Sequence, residues 1–169
     1  MKKTLFGAVA ALLTVAAAPA MAQDFTGPRI GVVGGYDNVQ AREGFTYGVV
    51  AGVDAPVANG VIVGVEATFE DSTTNGAGID ASRELGVAAR AGVVVLPKVL
   101  AFGKVGYTNA RADFAGSAAS ITLEGLRYGG GLEYAVSKHT YATVEYRRSE
   151  YEDGVGGRDG VLVGLGIRF

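Results

Sequence analysis

The sequence has no cysteine and no tryptophan, and among its 169 residues only four are proline and one, His139, is histidine. Without cysteine there is neither a disulfide scaffold nor a thiolate metal site. A lone histidine offers little to nucleophilic catalysis, which needs a base held beside a serine or threonine. Beyond Ala22 no apolar run approaches the ~18 residues of a membrane-spanning helix, although hydrophobic residues make up 49% of the chain. The formal charge is −2 with no basic stripe, which argues against nucleic acid as a partner. What is present is one domain's length of chain, rich in glycine (27 residues), with its hydrophobicity spread through short segments.

Residues 1–22 read MKKTLFGAVAALLTVAAAPAMA. Lys2 and Lys3 form a positive start, Leu5 to Ala18 an apolar stretch, and Ala20-Met21-Ala22 a small-x-small cleavage site. The expectation is a cleaved signal peptide over 1–22 and a mature domain over 23–169 beginning at Gln23. A membrane anchor is the alternative, but the stretch is short and ends at Pro19. Removing the leader leaves 13 Lys+Arg against 17 Asp+Glu, a charge of −4.

In the remainder, eight segments alternate in the manner of strands, whose side chains point by turns to opposite faces. They run from about Arg29 to Tyr36, Phe45 to Asp54, Val61 to Glu70, Glu84 to Val95, Val99 to Thr108, Gly125 to Val136, Thr140 to Arg148 and Gly160 to Phe169. The last is the cleanest, with Val161, Val163, Leu165, Ile167 and Phe169 on one face and Gly160, Leu162, Gly164, Gly166 and Arg168 on the other. Connections alternate too. Those around Pro56–Asn59, Leu96–Lys98 and Ser137–His139 are short; the others are longer, Asp71–Ser82 and Asn109–Thr122 most of all. This layout predicts an all-β fold, an eight-stranded antiparallel up-and-down transmembrane β-barrel. Both termini and the tight turns would be periplasmic and the four longer loops extracellular.

A soluble barrel alternates as well, but with its apolar side inward. Here the polar face is dominated by glycine, which makes a poor water-facing surface yet leaves room for long charged side chains inside a narrow bore. The other face is apolar at nearly every position and suits lipid. Tyr36, Phe45, Tyr47, Phe69, Tyr107, Tyr128 and Tyr146 fall toward the loop-side half of their strands, as an interfacial girdle would, with Tyr134 and Phe169 toward the other rim.

Counted from the short-turn end, Glu66, Arg90, Lys104 and Glu145 land five or six residues in, about half way across a span of ~9–11 residues. Glu133 is expected lower, Arg127 and Arg147 higher. Charges at that depth are costly unless paired, so a salt-bridged network plugging the interior is expected, with a gated polar path as the alternative. No HExxH, GxSxG or phosphate-binding glycine pattern is found. Tyr128-Gly129-Gly130-Gly131 reads as strand, and Asp71, Asp80, Asp113, Glu152 and Asp153 lack the spacing of a calcium loop. His139 sits on a short turn far from the loops. No catalytic residue, cofactor or metal is expected.

The leader, the alternating segments, Gly103-Lys104-Val105-Gly106-Tyr107, Gly131-Leu132-Glu133-Tyr134 and the terminal Val163-Gly164-Leu165-Gly166-Ile167-Arg168-Phe169 resemble the small OmpA/OmpX-like outer membrane protein β-barrel domain family, porin-family proteins of Gram-negative bacteria. The resemblance implies that Val163, Leu165, Ile167 and Phe169 form the signal read by the barrel-assembly machinery, with periplasmic chaperones assisting. A monomer among outer-membrane lipids and lipopolysaccharide is expected, and the sequence is expected to depart from full-length OmpA proteins in lacking their peptidoglycan-binding domain. Three functions follow: a structural or surface-interaction barrel, a small porin-like channel, and a lipid-modifying enzyme, which the position of His139 disfavours. Replacing Phe169 with serine should lower the amount of barrel recovered from outer membranes; unchanged levels would contradict its role in assembly.

Overall fold

The structure is a computed structural model that describes residues 23–39, 42–72, 75–76, 79–114, 120–151 and 157–169. The expected leader, including Ala20 and Ala22, lies outside the described residues, as do Glu152 and Asp153. After a single 3-10 turn at Gln23–Phe25 come β1 (Gly27–Val39), β2 (Arg42–Ala58), β3 (Val61–Ser72), β4 (Ile79–Leu96), β5 (Val99–Phe114), β6 (Ser120–Ala135), β7 (Thr140–Tyr151) and β8 (Gly157–Arg168). A two-residue rung, Asn75–Gly76, pairs with the start of β4. Each strand pairs antiparallel with its sequence neighbours, and β1 pairs with β8, so the sheet closes into an eight-stranded barrel.

Closure is staggered. From Arg29 the ladder neighbours run through Gly52, Glu66, Ala88, Gly106, Arg127, Ser149 and Arg158 and return to β1 at Val39, ten residues further on. Such a stagger tilts the strands by roughly 40° and leaves a bore just wide enough for side chains. Glycine lets the walls close: at Gly106 an added Cβ would collide with the Val87 carbonyl oxygen and the Ala88 backbone of the adjacent strand.

The outer wall is apolar. Val161, Val163, Leu165 and Ile167 stand exposed in one row, and Phe169 continues it with 73% of its surface open. The Phe169 N–H donates to the Pro28 carbonyl at 2.9 Å, so the ladder between the first and last strands continues past Arg168. Tyr36 and Phe45, paired across β1 and β2, meet edge to face with centroids 5.7 Å apart. On the loop side the Tyr107, Tyr128 and Tyr146 hydroxyls donate to Glu124, Glu150 and Asp159, at 3.1, 2.9 and 2.6 Å. These pairs mark where the apolar band gives way to a polar rim.

The strands are longer than alternation indicated. β2 continues through Pro56, where the register shifts, and turns at Asn59–Gly60. Much of the expected Asp71–Ser82 and Asn109–Thr122 loops is ladder: β4 pairs with β5 from Ile79↔Phe114 onward, and β5 with β6 from Asp113↔Ser120. Asp71, Asp80 and Asp113 are therefore strand residues. An antiparallel ladder satisfies backbone groups whatever its side chains, so it can outrun the apolar pattern that only lipid demands. Arg83, with φ 43°, sits at the register shift between Ser82 and Glu84, a bulge separating the protruding part of β4 from its barrel-wall part.

Candidate functional site

The feature with chemistry is the lumen. Alternation turns one face of every strand inward, and among the described residues the strands deliver seven carboxylates there: Asp37, Asp54, Glu66, Glu70, Glu84, Glu133 and Glu145. Facing them are seven cations: Arg29, Arg90, Lys104, Arg127, Arg147, Arg158 and Arg168. The two sets cancel. This is the condition for placing so many ions in a narrow space, because an uncompensated charge away from water costs several kcal/mol.

The register is unusual in one respect. Ladder neighbours are often alike: Arg29 lies beside Arg168, Arg90 beside Lys104, and Glu70 beside Glu84. Like charges on adjacent strands repel, so each seeks its partner elsewhere, and many ion pairs cross the bore. Arg147 on β7 reaches Glu70 on β3 at 2.5 Å, and Arg158 on β8 reaches Glu84 on β4 at 3.0 Å. Both pairs join strands on opposite sides of the barrel. Arg127 grips Glu70 and Glu84 together, relieving their mutual repulsion. Arg158 also pairs with Asp37, to which Thr46 donates its hydroxyl.

Toward the turns lies a second tier. Arg29 holds Asp54 at 2.9 Å and Glu66 at 2.6 Å. Arg168 holds Asp54 at 3.0 Å and Glu133 at 2.7 Å. The two guanidinium groups lie 6.0 and 5.6 Å from the Tyr141 ring, which adds a cation–π attraction. Lys104 occupies the middle, 2.5 Å from Glu66 and 2.7 Å from Glu145.

All seven charged residues singled out from the sequence face the lumen in this structure. Glu66, Lys104 and Glu145 meet in one cluster, while Arg127 and Arg147 meet at Glu70 nearer the loops. Arg90 does not join its expected level. Its guanidinium lies 4.2 Å from the Phe102 ring centre and pairs with Glu133 at 2.6 Å, because the inward Phe102 gives it an aromatic face to rest on. Seven further members were not singled out as part of the network from the sequence: Arg29, Asp37, Asp54, Glu70, Glu84, Arg158 and Arg168. Parity marked most of them as inward. Which partner each would meet was illegible, because some partners lie on the adjacent strand, as Asp54 does for Arg29, and others across the barrel, as Arg147 does for Glu70.

Two of the spaces between these side chains measure about 20 and about 10 Å³, room for roughly one water molecule each. His139 is exposed in the bend between β6 and β7, where its carbonyl accepts the Arg168 N–H at 2.9 Å. It lies at the opposite end from the polar tyrosine rim. Outside the lumen, toward the loop-side ends of the strands, stand Asp71, Glu124, Glu150 and Asp159 against Arg83 and Arg148.

Residues 8–169 match the family described as the outer membrane protein beta-barrel domain. The chain belongs to that family. Its place is accordingly the outer membrane of a Gram-negative bacterium. Solved structures agree on the fold of this outer membrane barrel. Ail, the attachment invasion locus protein of Yersinia pestis, solved with the heparin analogue sucrose octasulfate, is 18% identical with a TM-score of 0.66, the match covering 85% of this chain and 97% of that one. Neisserial surface protein A (NspA) is 17% identical, with a TM-score of 0.58 and coverage of 84% and 96%. The N-terminal barrel domain of Pseudomonas aeruginosa OprF is 12% identical, with a TM-score of 0.58 and coverage of 85% and 99%. No curated protein matches the chain.

Removing Lys104 as Lys104→Met strips Glu145 of its cation and leaves Glu66 with Arg29 alone. Urea unfolding from lipid vesicles should show a loss of about 3–5 kcal/mol, the cost of breaking a buried pair. A loss below about 1 kcal/mol, the range of a surface pair, would contradict the assignment.

Proposed function

We propose that this protein is a sealed, non-enzymatic stave of the outer membrane, whose charged lumen is a structural plug and whose loop-side ribbons are its surface for interaction. The observation that carries this reading is the pair of ion bridges spanning opposite walls, Arg147–Glu70 and Arg158–Glu84. A solute would have to part both bridges, leaving Glu70 and Glu84 to Arg127 and Arg158 to Asp37. The turns and both chain termini then face the periplasm and the ribbons face outward, after removal of the leader at Ala22. The outward row Val163, Leu165, Ile167 and Phe169 serves the barrel-assembly machinery, with periplasmic chaperones upstream, and outer-membrane lipids and lipopolysaccharide bathe the wall of a monomer.

A non-catalytic role is supported by the chemistry at each end. The single histidine is at the turn side, away from the loop-side rim. Ail binds a polysulfated heparin analogue in its crystal structure; the acidic balance of the loop-side strand ends here gives no electrostatic basis for extending that ligand to this chain.

Planar-bilayer recording on purified, folded protein tests the reading against a small porin-like channel. Silent bilayers, or at most brief small openings, are expected. Steady, large openings would overturn the plug.

A further inference from the structure

The turn-side mouth of the barrel is closed by something other than charge. Phe25, in the 3-10 turn before β1, has 0% of its surface exposed, although it precedes the first strand. Its ring packs in the mouth with Ile62, Leu100 and Ala135, and Val94 packs against the same cluster. These four residues come from β3, β5, β6 and β4, so the chain folds back from β1 into the bore. Gly27, at φ 105°, permits that reversal; a side chain there would be strained and its Cβ would collide with the Phe169 carbonyl oxygen. The turn is also held by a polar contact. Arg168 donates to the Phe25 carbonyl oxygen at 2.7 Å with the same Nη1 that reaches Asp54, while its Nη2 reaches Glu133.

We propose that the Gln23–Phe25 turn is a removable cork for the turn-side mouth, with Phe25 as its stopper and Arg168 as the latch. The cork shields the lower ion pairs from water. It is a separate seal from the charge network and acts whether or not the network conducts. Its removability follows from its construction: the Phe25 side chain and a bond from Arg168 hold a three-residue turn that takes no part in the barrel ladder. Local segments attached this lightly open without global unfolding. The arrangement joins the turn before β1 to the last inward-facing residue of β8, so the cork can seat only once β8 has closed the barrel.

The absence of native cysteine makes the test direct. Ala135→Cys places one thiol beneath the stopper, and Leu100→Cys gives a second reporter. Each is challenged with a small charged methanethiosulfonate in lipid vesicles, with heat-modifiable gel migration certifying the folded barrel. With Phe25 present the thiol should be protected. Adding Phe25→Ala should make labelling at least about tenfold faster while the barrel stays folded. Arg168→Met should speed it as well with Phe25 in place. Equal labelling with and without Phe25 would overturn the proposal. So would a barrel that cannot fold once Phe25 is removed, since the stopper would then be part of the permanent core.

Discussion

A guanidinium or carboxylate drawn from water into a narrow protein interior is stable only if an opposite charge meets it there with good hydrogen-bond geometry. Everything inside this barrel follows from that constraint. Among the described residues, fourteen charged side chains point into a bore of eight strands, in equal numbers of each sign. Because several ladder neighbours carry the same sign, neutralisation runs across the bore as well as along the wall. The network therefore ties opposite strands together, a restraint that backbone hydrogen bonds between adjacent strands cannot supply. Glycine on the inward face is its counterpart, giving long Arg and Glu side chains the width they need.

The exterior obeys a different rule. Lipid offers no hydrogen bonds, so the closed ladder satisfies the backbone and the side chains need only be apolar. The tyrosine hydroxyls donating to Glu124, Glu150 and Asp159 show where that rule stops. Beyond this boundary the ladders continue as ribbons, and Glu124, Arg148, Glu150 and Asp159 stand outside the lumen there. The turn-side end is closed by Phe25, an aromatic that belongs to no strand.

Much of the fold was legible because period-two alternation maps directly onto two environments. The row from Val161 to Phe169 and the glycine face opposite it determine which side meets lipid. Strand ends were less legible: once Arg83 and its bulge mark the end of the apolar wall, the ladder goes on without an apolar pattern to betray it. The lumen was legible as a list and illegible as a network. Parity assigns Glu70 and Arg147 inward, but their meeting depends on the ten-residue stagger, which sets relative heights across the barrel and is a property of the whole closed sheet. The Phe25 stopper left no periodic signal at all, since a single residue before the first strand has no repeat to belong to.

The claim that ion pairing within the lumen organises the barrel is tested most directly by a double-mutant cycle on Arg90 and Glu133, which lie on β4 and β6 with 2.6 Å between Nη2 and Oε2. Arg90→Met, Glu133→Gln and the double variant are unfolded from lipid vesicles alongside the parent. A paired lumen predicts a favourable coupling of about 2 kcal/mol or more, near the upper range for contacting residues. Additive losses, with coupling below about 0.5 kcal/mol, would contradict it.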